Sequence, residues 1–203
     1  MQTGFEVAVP FQYAPGRAPA VTRVRSTLLA ASLQGIREMG WESRYFAALP
    51  REHHEEMQMM TPGFWVPADM GAVHYTACDA MGLSDAEMIA IGESVSMKTQ
   101  GTFVGVLGKA ATGAGATPWL LFQSIHRIWG RMIEGADNGV FKAGPKDSLV
   151  CLVGCSLADL TYFRVGLIGY YRAIARVLSR VAYTRELRDD RAPGTLTFRM
   201  SWV

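Results

Sequence analysis

The segment at residues 117–134, TPWLLFQSIHRIWGRMIE, carries the pattern that decides the predicted fold. Thr117 is suited to cap a helix, and Pro118 is suited to its first position, because a threonine oxygen accepts a first-turn N–H and proline has none to leave unpaired. Apolar residues recur at helical spacing and form one stripe, which consists of Leu121, Ile125, Ile128 and Met132. We therefore predict one helix over 117–134 with a buried face.

His126 lies on the apolar flank of this helix, among Phe122, Trp129 and Ile133. A titratable imidazole that faces the inside of a fold is either a core residue with satisfied hydrogen bonds or a ligand to a bound group. We predict that His126 points inward, and both interpretations remain open from the residues alone.

Composition limits the classes of function. The 203 residues predict a single domain, 1–203, and the net charge of +2 comes from mixed signs without a basic stripe, so no nucleic-acid partner is expected. Three cysteines are too few for a disulfide framework and are typical of a reducing cytoplasm. The longest apolar region, 149–168, is interrupted by Asp159 and Arg164, so no membrane span is predicted.

Along the chain we predict an N-terminal arm (1–20), a helical part (21–134), and a sheet with a long helix (135–203). The predicted helices are 21–39, 67–81 and 84–111, the last with a break or a close backbone approach near Gly101, and then a helix over 160–180 capped by Asp159. The predicted strands are 140–141, 149–153, 181–188 and 195–203. This order predicts the α+β class: a helical layer, then strand-strand-helix-strand-strand in a mostly antiparallel sheet.

Two further groups have the chemistry of metal ligands. Residues 53–56, HHEE, are neighbours on the chain and point in different directions, so we predict a solvated polar face. Cys151 and Cys155 would lie about 13 Å apart on one strand, too far to ligate one metal ion together unless Gly154 breaks the strand. We predict buried apolar thiols, since free cysteine is often interior.

Several stretches resemble an uncharacterised family of roughly 200-residue proteins found mainly in myxobacteria. The matching segments are VRSTLLAASLQGIREMG (24–40), FWVPADMGAVHYTACDAMGLS (64–84), TQGTFVGVLGKAA (99–111), YFRVGLIGYYRAIARVLSRVAYTRELR (162–188) and FRMSW (198–202). The similarity covers most of the chain and implies a bacterial protein, but it implies no established chemistry.

The chain also resembles, more distantly, the heme nitric oxide/oxygen-binding (H-NOX) sensor domains and the related vinyl-reductase-type ligand-binding domains. LLFQSIHRIWGRM (120–132) looks like the helix that carries the proximal heme histidine of the H-NOX family, and YFRVGLIGYYRAI (162–174) looks like the start of its long C-terminal helix. The family's propionate motif, Tyr-x-Ser-x-Arg, falls on LTYFR (160–164), where only Arg164 agrees and Tyr162 stands beside it.

The resemblance implies an H-NOX-like fold and a bacterial, cytoplasmic sensor or signalling domain with a hydrophobic small-molecule pocket. In this interpretation His126 would ligate heme iron, with Phe122 and Trp129 as walls and Tyr162 and Arg164 near the anionic end. The sequence shows no recognisable nucleophile–base pair that would indicate an enzyme. The alternative is a non-catalytic protein-interaction module that has the same fold without a cofactor and acts as a homodimer or with a protein partner.

Overall fold

A computed structural model describes residues 4–111, 117–188 and 192–203, with the backbone alone for 100–111. The helices of this part of the chain are α1 (Ser26–Glu38), α2 (Glu42–Ala48), α3 (His54–Gln58), α4 (Ala68–Ala80), α5 (Asp85–Ala111), α6 (Trp119–Phe122), α7 (Ile125–Gly130) and α8 (Thr161–Arg176). The strands are β1 (Glu6–Val9), β2 (Arg23–Arg25), β3 (Trp65–Pro67), β4 (Ile133–Glu134), β5 (Asp137–Gly144), β6 (Asp147–Val153), β7 (Ala182–Leu187) and β8 (Leu196–Trp202). In the described residues, no helix combines the length and the apolar character that crossing a membrane requires.

The strands form two antiparallel sheets, which confirms the predicted α+β class. The larger sheet has the order β1-β5-β6-β8-β7, so the N-terminal arm supplies one edge strand. The smaller sheet, β3-β2-β4, was not predicted from the sequence. It forms because Val24 pairs with both Val66 and Ile133, which keeps residues 23–25 extended and delays the start of α1 to Ser26.

The prediction of one helix over 117–134 is wrong, because the segment divides into α6, α7 and β4. At Ser124 the backbone N–H donates to the Leu121 carbonyl at 3.0 Å, a bond three residues back that tightens the chain and separates the two short helices. After α7, Ile133 pairs with Val24 of β2, so the backbone cannot continue as a helix. The side chain of Thr117 does not cap α6, which begins after Pro118.

The carboxylate that caps α8 comes from α4 and not from the predicted Asp159, which lies just before α8 in the sequence. Asp79, at the end of α4, accepts the backbone N–H of Thr161 at 3.0 Å and that of Tyr162 at 2.6 Å, whereas the sequence pointed to Asp159. These bonds satisfy two of the otherwise unpaired first-turn donors and place a negative charge at the positive end of the helix dipole. The start of α8 is therefore fixed to α4.

Helices α5 and α8 pack in backbone contact through glycines. A Cβ atom built on Gly92 would lie 2.0 Å from the carbonyl oxygen of Gly166, and one on Gly169 would lie 2.0 Å from that of Ile89. A close backbone approach on α5 occurs at Gly92, and the break predicted near Gly101 is wrong, because the backbone of α5 continues as a helix to Ala111.

We expect Gly169→Ala to lower the free energy of unfolding by at least about 2 kcal/mol, because the added methyl group overlaps rigid backbone atoms. Gly130→Ala is the matched control, since a Cβ there meets no atom within 4 Å. That control should stabilise the protein by up to about 1 kcal/mol through helix propensity. Urea unfolding measures both, and an equal change in the two variants would contradict the close contact.

Candidate functional site

An apolar cavity lies between the helical layer and α8. Its volume is about 70 Å³, and its walls are almost entirely apolar. Residues of α1, α4, α5, α7, β4 and α8, together with Met132, line it: Leu28, Ser32, Tyr75, Met88, Ile91, Gly92, Val95, Ile125, Ile128, Trp129, Met132, Ile133, Tyr162, Phe163, Gly166, Leu167, Tyr170 and Tyr171. The Gly92–Gly166 contact lies in this wall, so the close packing of α5 and α8 limits the size of the cavity.

A few hydroxyl groups interrupt the apolar walls. Ser32 Oγ and Tyr162 Oη are 2.7 Å apart and share a hydrogen bond. The hydroxyl of Tyr171 is buried and has no hydrogen-bond partner among the described residues. An apolar cavity that contains a few directed polar groups is the usual form of a small-molecule site.

Ser32 joins the cavity to a fully buried histidine. His74 Nε2 is 2.9 Å from Ser32 Oγ, and His74 Nδ1 is 2.8 Å from Tyr45 Oη. Together Tyr45, His74, Ser32 and Tyr162 form a hydrogen-bonded chain, which we call the relay, across α2, α4, α1 and α8. Buried polar groups need such partners, because each unsatisfied one costs on the order of 1–3 kcal/mol.

One assignment of donors and acceptors satisfies all the hydrogen bonds of the relay. The Tyr45 hydroxyl has no acceptor other than His74 Nδ1 in the described part of the chain, so it donates there. A neutral imidazole then carries its hydrogen on Nε2 and donates to Ser32, which in turn donates to Tyr162. The hydrogen of Tyr162 is left for the sulfur of Cys78 or for a molecule in the cavity.

Burial keeps the relay neutral. Desolvation lowers the pKa of His74 to about 3, because the charged imidazolium would have to exist away from water. The same cause raises the pKa of the Cys78 thiol well above its usual value, although its sulfur is 3.7 Å from His74 Nε2. A protonated, buried thiol is a poor nucleophile, so this cysteine–histidine pair gives no support to an enzyme.

His126 is not part of the cavity, so the prediction that it faces the interior pocket is wrong. The side chain of His126 is 21% exposed, and its Nε2 donates to the carbonyl oxygen of Pro10 in the N-terminal arm at 3.0 Å. The remaining nitrogen, Nδ1, is 3.9 Å from Asp137 Oδ1. Ile125, Ile128 and Trp129 of α7 face the cavity instead, which turns His126 towards the arm.

The other predicted site residues divide between the cavity and the rest of the core. Trp129 and Tyr162 line the cavity. Phe122 is fully buried but packs against Trp119 and Trp202 at the end of the sheet. Arg164 turns towards β7, where its Nη1 is 2.6 Å from Glu186 Oε2 in an ion pair.

The remaining candidates also lie apart from the cavity. Cys151 and Cys155 are both buried, as predicted, and neither lines it. In the segment 53–56 the His54 imidazole bonds to the carbonyl oxygen of Leu49 at 3.0 Å. Among the described residues no three His, Cys, Asp or Glu side chains are grouped as metal ligands.

Sequence reasoning missed the relay. The one available signal was the position of His74, which shares the buried face of α4 with Met70 and Cys78 at helical spacing. The partners Ser32, Tyr45 and Tyr162 come from three other helices, and no local pattern connects them.

Comparison with solved structures places the fold beside H-NOX domains. A point mutant of the Fe(II) unliganded H-NOX protein from K. algicida is 11% identical, with a TM-score of 0.64 over 88% of this chain and 96% of that chain. An oxygen-binding H-NOX domain related to soluble guanylate cyclases, solved as its oxygen complex, is 12% identical, with a TM-score of 0.54 over 87% and 94%. The chain therefore has an H-NOX-like fold, as the resemblance implied.

Other comparisons add no family assignment. No protein-family model matches the chain, and no curated protein matches it. The similarity to vinyl-reductase-type domains and to the family found mainly in myxobacteria stays a prediction.

The residues of this chain do not fit a heme held by His126. With a hydrogen on Nε2, the only lone pair of a neutral imidazole is on Nδ1, which faces Asp137 beneath the arm and not the cavity. The cavity of about 70 Å³ is also well below the roughly 300–1,000 Å³ of pockets for drug-sized ligands. A porphyrin would require both the imidazole and the α5–α8 contact to move.

We expect added hemin to give the same absorption spectrum with the unmodified protein, His126→Ala and His54→Ala, because the His126 lone pair is turned away from the cavity. His54→Ala is the matched control, since this imidazole also bonds to a carbonyl oxygen. A Soret band that is lost only in His126→Ala would contradict this placement.

We expect acid to destabilise the protein partly through His74. The folded-state pKa of about 3 lies below the ordinary value. The unfolded chain therefore binds more protons between about pH 3 and 6.5, and this contribution to stability is lost as the pH falls through that window. His74→Gln should make the fall less steep by about 1 kcal/mol per pH unit between about pH 4 and 6.

Urea unfolding at several pH values measures this slope, and His53→Gln is the control, because the His53 side chain is partly exposed. If His53→Gln reduced the slope as much as His74→Gln, burial of His74 would not be the cause.

Proposed function

We propose that this H-NOX-like domain is a sensor or signalling domain that binds a small, mostly apolar molecule with one hydrogen-bond acceptor. The ligand would occupy the cavity between the helical layer and α8. The observation that carries the proposal is Tyr162, one of the few lining residues with a hydroxyl group, whose hydroxyl hydrogen the relay does not require.

The size of the cavity supports a ligand of only a few heavy atoms. Its volume of about 70 Å³ is roughly half that of an engineered apolar cavity of about 150 Å³ that binds benzene. Aliphatic and aromatic side chains such as Leu28, Val95 and Trp129 would supply most of the contact by burying apolar surface. Larger ligands would require α5 and α8 to separate.

The hydroxyl groups support selection for an acceptor. Tyr162 can donate to a carbonyl, ether or similar oxygen, and the buried Tyr171 hydroxyl has no partner among the described residues. A site with a buried donor rejects analogues that lack the matching acceptor, because the donor then stays unpaired.

The relay supports a role in sensing. A ligand that takes the hydrogen of Tyr162 also changes the environment of Ser32 and His74, which belong to α1 and α4. Tyr45 extends the chain to α2. Three helices would therefore respond to occupancy of one cavity, and a change in their relative positions is the signal we propose.

The alternative of a non-catalytic protein-interaction module, including a homodimer, stays a prediction. Size-exclusion chromatography with light scattering tests self-association directly.

The proposal predicts a difference between two probes of nearly equal shape, acetone and isobutene, because only acetone has an acceptor. NMR titration of backbone amides around the cavity measures both. Tyr162→Phe should weaken acetone binding by several-fold, since it removes one hydrogen bond worth about 1 kcal/mol, and should leave isobutene binding nearly unchanged.

Tyr183→Phe is the control, because Tyr183 is an exposed tyrosine on β7. The proposed site is refuted if neither probe gives saturable shifts at the cavity. The proposed role of Tyr162 is refuted if Tyr162→Phe weakens the two probes equally.

A further inference from the structure

A second concave site lies beneath the N-terminal arm. This cleft has a volume of about 330 Å³ and walls that are about equally polar and apolar. Tyr13, Trp65, His126, Asp137 and Asn138 are among its lining residues. Trp129 and Ile133 line both the cleft and the cavity, so the two sites share a wall but not their polar groups.

Asp137 is the central charge of the cleft. Its side chain is 1% exposed, and its oxygens accept the backbone N–H of Tyr13 at 2.9 Å and that of Asn138 at 2.8 Å. The His126 Nδ1 atom, 3.9 Å away, is beyond hydrogen-bond distance. A carboxylate has about four lone-pair sites, so this buried group retains capacity for further donors.

Asn138 supplies a further buried acceptor to the cleft. Asn138 is 1% exposed, and its Oδ1 has no hydrogen-bond partner in the described part of the chain. The His126 Nε2 atom donates to the Pro10 carbonyl oxygen, so this atom is already occupied. Acceptors without matching donors favour a ligand that brings N–H groups and positive charge.

An aromatic wall and a strained backbone segment complete the surroundings of the cleft. The Trp65 ring lines the cleft, and the guanidinium carbons of Arg25 and Arg23 lie 4.7 Å and 5.7 Å from its centroid. The backbone before Asp137 is strained, because Ala136 has a φ of 57°, a conformation that non-glycine residues rarely adopt. Such strain is characteristic of functional sites, where the surrounding structure holds a group in place.

We propose that this cleft binds a small organic cation with several N–H donors, of the alkylguanidinium or alkylammonium class. Its donors bond to the Asp137 carboxylate and to Asn138 Oδ1, and its apolar part lies against Trp65 and Tyr13. The described residues offer no three metal-ligating side chains together, so an organic cation fits the cleft better than a metal ion. This site is independent of the apolar ligand proposed for the cavity.

The test uses methylguanidinium chloride and, as a neutral analogue of the same shape, methylurea, at matched ionic strength. The indole N–H resonances of Trp65 and Trp129 report binding. We expect saturable shifts with methylguanidinium and at least about tenfold weaker binding of methylurea, because charge-assisted hydrogen bonds contribute about 1.5–3 kcal/mol. This comparison requires no variant and holds even if substitutions unfold the protein.

Asp137→Asn should weaken methylguanidinium binding by at least about tenfold, while Asp147→Asn should leave it within about twofold. Asp147 is the matched carboxylate, since it pairs with Arg199 on the sheet away from the cleft. Trp65→Leu should also weaken methylguanidinium binding, which is then measured on the indole N–H resonance of Trp129. The proposal is overturned if methylguanidinium gives no saturable shift, if methylurea binds equally well, or if the two aspartate variants behave alike.

Discussion

The backbone contact between α5 and α8 is the constraint on which the described structure most depends. Gly92 and Gly169 each allow a carbonyl group of the other helix, from Gly166 and Ile89 respectively, to lie where a side chain would otherwise stand. This contact, together with the Asp79 cap, positions the tyrosines of α8 beneath the helical layer. It also leaves a cavity of about 70 Å³ instead of a wide slot. An H-NOX-like fold can therefore present a pocket whose size excludes large ligands.

The shortness of α7 is the second determinant of both sites. Because the chain leaves the helix to pair with β2, only one apolar face of α7 meets the cavity. His126 then lies under the N-terminal arm, which is held by Pro10 at the imidazole and by Phe11 against Gly139. Trp129 lies between the cavity and the cleft, and its indole N–H donates to Gly135 at 3.2 Å, next to the strained Ala136. A movement of this indole would change the shape of both the cavity and the cleft.

The relay shows how a buried histidine can be polar without being charged. His74 has a partner on each ring nitrogen, and desolvation holds it neutral, so it orders Ser32 and Tyr162 without introducing a counter-ion into the core. His126, the histidine that stands out in the sequence, thus lies outside the cavity. His74, which appears in the sequence as an ordinary core residue, connects the cavity to three helices.

The sequence by itself determined the α+β class, the mostly antiparallel character of the larger sheet, and the approximate extents of α4, α5, β6 and α8, since these follow from hydrophobic period, capping residues and turns. The resemblance to H-NOX domains implied five pocket residues, and two of them, Trp129 and Tyr162, line the cavity, whereas His126, Phe122 and Arg164 do not. Only the tertiary structure decided the division of residues 117–134, the cap from Asp79 and the orientation of His126. The end of α7 depends on the pairing of Ile133 with Val24, and the cap and the orientation of His126 each depend on a hydrogen bond between residues far apart in the chain. Local periodicity contains no information about such partners.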